Sequence, residues 1–145
     1  MARLVPLRSR PSADAPNFAS ATVRLRIVLS PDRRIGPGKI DVLEAVVRTG
    51  SIAAAGRTLG MSYRRAWLLV DEVNRLFTRP VVIAGAGGSH GGGARVTDFG
   101  LALIAAYRRI EERTRQAIRE ELAPFESDLA DEAVGATDRG AIEGS

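Results

Sequence analysis

The stretch Gly50 to Phe77, GSIAAAGRTLGMSYRRAWLLVDEVNRLF, constrains the fold more than any other part of the chain. It reads as two helices with room for only a tight turn between them. Ser51 is placed to N-cap a short helix running to about Leu59, its side-chain oxygen accepting from the free amides of the first turn. Gly60 can adopt the left-handed conformation that ends a helix, and Ser62 can cap the next one, leaving a turn of about three residues. Ala53, Ala54 and Ala55 are small enough for the helices to cross closely, with Ile52, Ala55 and Leu59 facing inward. The spacing is that of a helix-turn-helix.

In the second helix Ala66, Val70, Val73 and Phe77 recur at helical spacing and define a buried stripe, while Tyr63, Arg64, Arg65 and Leu68 lie off it near the N-terminal end. A helix that opens this way can present its first turns to the major groove, where arginine pairs with guanine and tyrosine meets phosphate or a thymine methyl. Trp67 borders the stripe and is assigned to core packing, with a DNA contact as the alternative. The competing reading of the whole segment is an ordinary helical hairpin with solvated arginines.

The flanks bear on that choice. Residues 1–20, with three prolines and three arginines before Phe18, have no periodicity and read as a disordered, weakly basic arm. From Ala21 to Leu29, Val23, Leu25 and Ile27 alternate with Thr22, Arg24 and Arg26, as in a strand with one wet face. The segment Ser30 to Arg34 reads as a turn, its two arginines either beside a sugar-phosphate backbone or solvating the turn. A helix from about Pro37 to Thr49 follows, with Ile40, Leu43, Val46 and Val47 on its buried side.

After Phe77, Pro80 breaks the helix. A short strand from Val81 to Ala84, the loop GAGGSHGGG from Gly85 to Gly93, and a second strand from Ala94 to Val96 complete a winged helix. A glycine tip can approach a phosphate backbone closely because no side chain intervenes. It is no nucleotide-phosphate loop, since Ala94-Arg95-Val96 stands where a GK[ST] ending and a helix are needed. His90, the one histidine, has no second ligand or carboxylate near it in sequence, so it reads as exposed or DNA-facing.

Thr97 is a good N-cap for a long helix to about Leu122, with Asp98 at its positive end. Its apolar face is read as Phe99, Leu101, Ala102, Ile104, Ala105, Ile110, Ala117, Ile118 and Leu122, the remainder being heavily charged. So long a helix overruns a small domain. A second copy of the chain is the economical cover for it, giving a homodimer with two recognition helices. The alternative is a helix folded back on the N-terminal strand of its own chain. Pro124 stops the helix, and residues 124–145 read as an acidic disordered tail. The expected organisation is therefore an arm over 1–20, a winged helix-turn-helix domain with a dimerisation helix over 21–123, and the tail.

Charge follows the same division. The net charge is +4, yet residues 27–124 carry 15 basic and 10 acidic side chains, while residues 125–145 carry one and six. A basic body suits a polyanionic partner. Twenty of the 21 basic residues are arginine, and Lys39 is the only lysine. There is no cysteine, which excludes disulfides, thiolate metal sites and a cysteine nucleophile. No convergent set of nucleophile, base and oxyanion donors is present, so neither an enzyme nor a cofactor or metal site is expected. Without a long apolar run or a signal-peptide core, the expected compartment is the cytoplasm.

From Ile35 to about Leu122 the chain resembles the N-terminal DNA-binding domain of ModE-type molybdate-responsive regulators, and more distantly that of LysR-type regulators. The resemblance rests on TGSIAAAGRTLGMSYRRAW from Thr49 to Trp67, on Asn74 and Leu76, on the GGSHGGG loop, and on VTDFG from Val96 to Gly100. It implies a dimeric winged-helix transcription factor whose recognition helix begins at Ser62. On this reading the DNA-facing side chains are Ser51, Ser62, Tyr63, Arg64, Arg65, Leu68, His90 and Arg95, and the wing glycines are Gly87, Gly88, Gly91, Gly92 and Gly93. Molybdate-sensing members of that family also carry oxyanion-binding domains, and nothing after Leu122 resembles these. Sensing then falls to a separate molybdate-binding protein, or the chain acts without a ligand. The function expected is sequence-specific regulation of genes for molybdate uptake or use, the alternative being a protein-interaction or nonspecific DNA-binding module.

Overall fold

The computed structural model of the chain describes residues 15–85 and 93–130. They fall into two compact units, residues 23–113 and residues 15–22 with 114–130. The elements in order are β1 (Ile27–Ser30), β2 (Arg33–Ile35), α1 (Pro37–Thr49), α2 (Ile52–Thr58), α3 (Tyr63–Leu76), β3 (Val82–Ala84), β4 (Ala94–Val96), α4 (Asp98–Glu121) and a 3₁₀ helix (Ala123–Asp128). The fold class is mainly α with a small β component, its strands forming two separate antiparallel pairs, β1–β2 and β3–β4.

In the larger unit one core gathers Ile40, Val42, Leu43, Ala45 and Val46 of α1, Ala55 of α2, and Val70, Val73 and Leu76 of α3, with Val81, Val96 and Tyr107 closing it. Ile40, Leu43 and Val46 of α1 face this core as expected, and Val47 does not. Val42 and Ala45 are buried whereas Val47 is half exposed, because α1 is covered by elements on more than one side and its apolar stripe is wider than the pattern suggested. On α3 the last buried position is Leu76, and Phe77, outside the helix, packs edge-on to Phe99 with centroids 5.2 Å apart.

The N-terminal segment differs from the expectation in its hydrogen bonding. Burial alternates residue by residue from Ala21 to Val28, yet strand pairing starts only at Ile27. Leu25 uses its carbonyl differently: it accepts from the Tyr107 hydroxyl at 2.6 Å. The expected turn over 30–34 is tighter than read, since Arg33 and Arg34 already belong to β2, which pairs Ile27 with Ile35 and Val28 with Arg34. An irregularity between Val28 and Ser30 leaves Leu29 out of register.

Helix α4 begins as expected, Thr97 Oγ1 accepting from the Gly100 amide at 3.0 Å. Its buried face is a correction. Gly100, Tyr107 and Glu111 are the buried positions, and Leu101 and Ile110 are exposed. The cause is a cluster of polar side chains between helices: Arg108 bonds Glu44 at 2.7 Å and Asp41 at 2.9 Å on α1, and Glu111 one turn along at 2.7 Å. A buried carboxylate such as Glu111 is tolerated where a guanidinium pairs with it, so polarity alone does not mark the outer face.

In the smaller unit Phe18 donates its amide to both carboxylate oxygens of Glu126 at 3.1 Å. The helical chain beyond Glu121 ends in the 3₁₀ turns from Ala123, with Pro124 in the first of them. Residues 1–14 of the expected arm and 131–145 of the expected tail lie outside the described residues.

Candidate nucleic-acid interface

Glycines and serines set the geometry between α1 and α3. Gly50, at φ 72°, ends α1 with its amide on the Val46 carbonyl at 2.8 Å. Ser51 then caps α2, its hydroxyl oxygen accepting from Ala54 at 2.9 Å. Gly60, at φ 67°, turns the chain out of α2, and the Met61 amide reaches back to the Gly56 carbonyl at 2.9 Å, closing the helix end. Ser62 caps α3 by accepting from the Arg65 amide at 3.1 Å. Where the two helices touch, Gly56 leaves room that a side chain would fill: a Cβ there would stand 3.3 Å from that of Ala66. The close crossing thus rests on Gly56 as well as on the alanines.

The capped start of α3 carries Tyr63, Arg64, Arg65 and Leu68, and all four are exposed. Among the described residues the side chains of Arg64 and Arg65 form no hydrogen bond or ion pair. This distinguishes them from Arg75, held by Asp71 at 2.9 Å, and from Arg108, whose guanidinium is held charged by Glu44 first and then by Glu111 and Asp41. Arg95 is exposed on β4 between buried Ala94 and Val96, directly across from Ile83. Ser51 and Ser62 each commit an acceptor lone pair to a helix cap. Gly93 borders β4, its carbonyl accepting from Gly85 at 2.7 Å. His90 and the glycines 87, 88, 91 and 92 lie outside the described residues.

Trp67 corrects the expectation of core packing. It is 44% exposed, because the buried stripe runs through Ala66, Val70 and Val73 and leaves position 67 on the flank shared with Tyr63. The spacing of Tyr63, Trp67 and Asp71, four residues apart, was the available signal. These three side chains form one wall of a cleft of about 350 Å³ whose other wall is β3 and the start of β4.

Asn74 was the residue with least signal in the sequence beyond the resemblance. Its Oδ1 accepts from the amides of Val81 at 2.9 Å and Val82 at 3.0 Å, and its Nδ2 donates to the Val82 carbonyl at 3.0 Å. On the other strand the Ala94 amide donates to the Gly50 carbonyl at 2.9 Å. The β3–β4 pair is therefore fixed to α3 on one strand and to the α1–α2 turn on the other. Arg57 of α2, Arg64 and Arg65 of α3 and Arg95 of β4 are exposed and have no hydrogen bond or ion pair among the described residues, and no three His, Cys, Asp or Glu side chains of the described residues are grouped to hold a metal ion. No helix among them is long and apolar enough to cross a membrane.

No protein-family model matches the chain. It is 46% identical over 85 residues to the molybdenum-pterin-binding protein MopA of Rhodobacter capsulatus, a match covering 59% of this chain and 32% of that protein. To the molybdenum transport protein ModE of Azotobacter vinelandii it is 40% identical over 80 residues, 55% of this chain and 30% of the other. To the DNA-binding transcriptional dual regulator ModE of Escherichia coli K12 it is 31% identical over 97 residues, 67% and 37% respectively. The chain thus matches about a third of the length of each of these relatives.

Proposed function

We propose that this chain, a homologue of ModE-named regulators and of Mop molybdenum-pterin-binding proteins, is a sequence-specific DNA-binding regulator of genes for molybdate uptake or molybdenum use. The observation that carries the reading is the pair Arg64 and Arg65, solvent-exposed and unpaired in the first turn of a helix capped by Ser62. Side chains without intramolecular partners lose none on meeting DNA, and the helix start is where major-groove contacts are made. The E. coli relative is named as DNA-binding, which supports the same role here.

In this reading α2 and α3 are the helix-turn-helix and β3–β4 the base of the wing. Tyr63, Arg64, Arg65 and Leu68 enter the major groove, Ser51 and Ser62 use their hydroxyl protons on phosphate, and Arg95 with the wing from Gly87 to Gly93, including His90, follows the backbone beside it. A homodimer through α4, whose Leu101 is 44% exposed, presents two such helices to two half-sites. The protein works in the cytoplasm by occupancy or recruitment, without chemistry of its own. Molybdate reaches it through a separate molybdate-binding protein.

Binding of the purified protein to fragmented DNA of its own source, followed by sequencing at two salt concentrations with and without molybdate, tests this. A recovered palindromic site is the expected result. A response to molybdate would replace the separate sensor with the chain itself. A second reading, a protein-interaction module, is favoured by the exposed apolar Val28 and Leu29; strong binding to a protein without salt-sensitive DNA binding would select it, whereas salt-sensitive binding with no preferred sequence would select a nonspecific DNA-binding module.

A further inference from the structure

The cleft between α3 and the β3–β4 pair has no task in the reading above, which assigns base contacts to α3 and backbone contacts to the wing. Its walls are specific. Tyr63 and Trp67 supply exposed aromatic surface from α3, and Ile83, Ala84 and Gly93 face them from the strands. Its one carboxylate, Asp71, is held by Arg75 at 2.9 Å, so the cleft carries little unbalanced negative charge. A cation flanks it: Arg95 is the cross-strand neighbour of Ile83 and shares its face of the pair.

Two neighbouring grooves of a duplex are separated by a single sugar-phosphate strand. If α3 occupies the major groove and the strand pair addresses the next groove, that strand must cross the space between them, which is this cleft. The geometry points to a backbone site in which the cleft receives the deoxyribose of the crossing strand, the Trp67 ring packing on its C–H face, while Arg95 takes the adjoining phosphate. Deoxyribose is the fitting occupant because it joins an apolar C–H face to an adjoining anion, matching an aromatic wall beside a cation. The small Ala84 and Gly93 leave the opposite wall low enough for the strand to enter. Trp67 then contributes affinity without reading sequence, in contrast to Arg64 and Arg65 at the base edges. This inference rests on the DNA-binding reading.

Trp67 is the only tryptophan, so the wild-type full chain reports on its own cleft. Binding to a fluorescein-labelled random-sequence duplex is followed by anisotropy, and iodide quenching of Trp67 emission is measured at saturation. The expected result is strong protection of Trp67 from iodide. Trp67→Ala should weaken binding roughly five- to tenfold, equally on the random duplex and on a selected operator, and Trp67→Phe should restore most of it. Duplex binding with unchanged iodide access would overturn the cleft site while leaving DNA binding intact. A loss confined to one duplex sequence would overturn it too, making Trp67 a base reader. Absence of any anisotropy change would remove the DNA-binding reading and this site with it.

Discussion

Asn74 and Val82 exchange two hydrogen bonds at 3.0 Å, one in each direction between a side-chain amide and a strand backbone. This side chain does the work of a strand neighbour at a place where β3 has none on that side. Asn74→Ala leaves two amides and a carbonyl of part-buried backbone without partners, and should lower stability by about 2–3 kcal/mol. Asn74→Asp keeps the acceptor for Val81 and Val82 and should recover more than half. Urea denaturation of the three proteins checks the order.

Tyr107 joins α4 to the N-terminal segment through Leu25. Tyr107→Phe should cost about 1–2 kcal/mol, from the carbonyl left without its donor. The gap should depend on pH. Burial raises the phenol above its ordinary value of 10.0, with the charge of Glu111 adding to the shift. A raised acid stabilises the fold below the unfolded value, and that contribution is lost as pH rises through the folded value. Thermal denaturation should therefore show wild type and Tyr107→Phe converging above pH 10.0.

Much of this architecture was legible in the sequence because it depends on local backbone chemistry. Ser51, Ser62 and Thr97 cap where their position before an apolar run said they should, and Gly50 and Gly60 have the positive φ that ends a helix. The positions misread depend on partners distant in sequence. Period alone did not tell that Val47 faces out or that Tyr107 is more deeply buried than Leu101, because each depends on which neighbour covers the helix. Trp67 was misplaced by a residue-type preference that the exposed flank of α3 overrides. Arg64 and Arg65 stand exposed where the pattern put them.

Arg108 holds three carboxylates, one of them on Glu111, which is 5% exposed. Arg108→Met should destabilise by about 2–3 kcal/mol, toward the low end for a buried pair because Asp41 is partly solvated. The double variant Arg108→Met, Glu111→Leu should recover part of the loss by removing the stranded charge. Glu44 provides a pH signature. The hydrogen bond from Arg108 lowers its carboxyl below 4.5, so the stability it adds is present above that value and fades as pH falls through the lower folded value. Acid titration of stability should be shallower below pH 4.5 in Glu44→Gln.

Gly100 and Gly38 form a matched pair for a packing test. A Cβ at Gly100 would lie 2.5 Å from the Val81 carbonyl oxygen and 2.6 Å from Val96 Cγ1, whereas at Gly38 nothing stands within 4 Å. Gly100→Ala should push α4 from the strand pair and cost about 1–3 kcal/mol. Gly38→Ala, in the first turn of α1, should be neutral or stabilise by up to about 1 kcal/mol, since alanine has less backbone freedom to lose. Opposite signs in thermal unfolding are the expected outcome, and equal losses would mean that α4 is not held by this contact.

Stability and recognition should separate at the start of α3. Ser62→Ala removes the acceptor for the Arg65 amide and should cost about 1 kcal/mol of stability. Arg64→Ala and Arg65→Ala touch exposed side chains and should change stability by less than about 0.5 kcal/mol. In binding the order reverses if these arginines read bases: each should lose about 1–3 kcal/mol on a selected operator, with little change on scrambled duplex. A uniform loss on both duplexes, with a salt slope reduced by about one, would make the residue a phosphate contact instead. Denaturation and anisotropy on the same three variants therefore distinguish a residue that builds the helix start from residues the helix start presents.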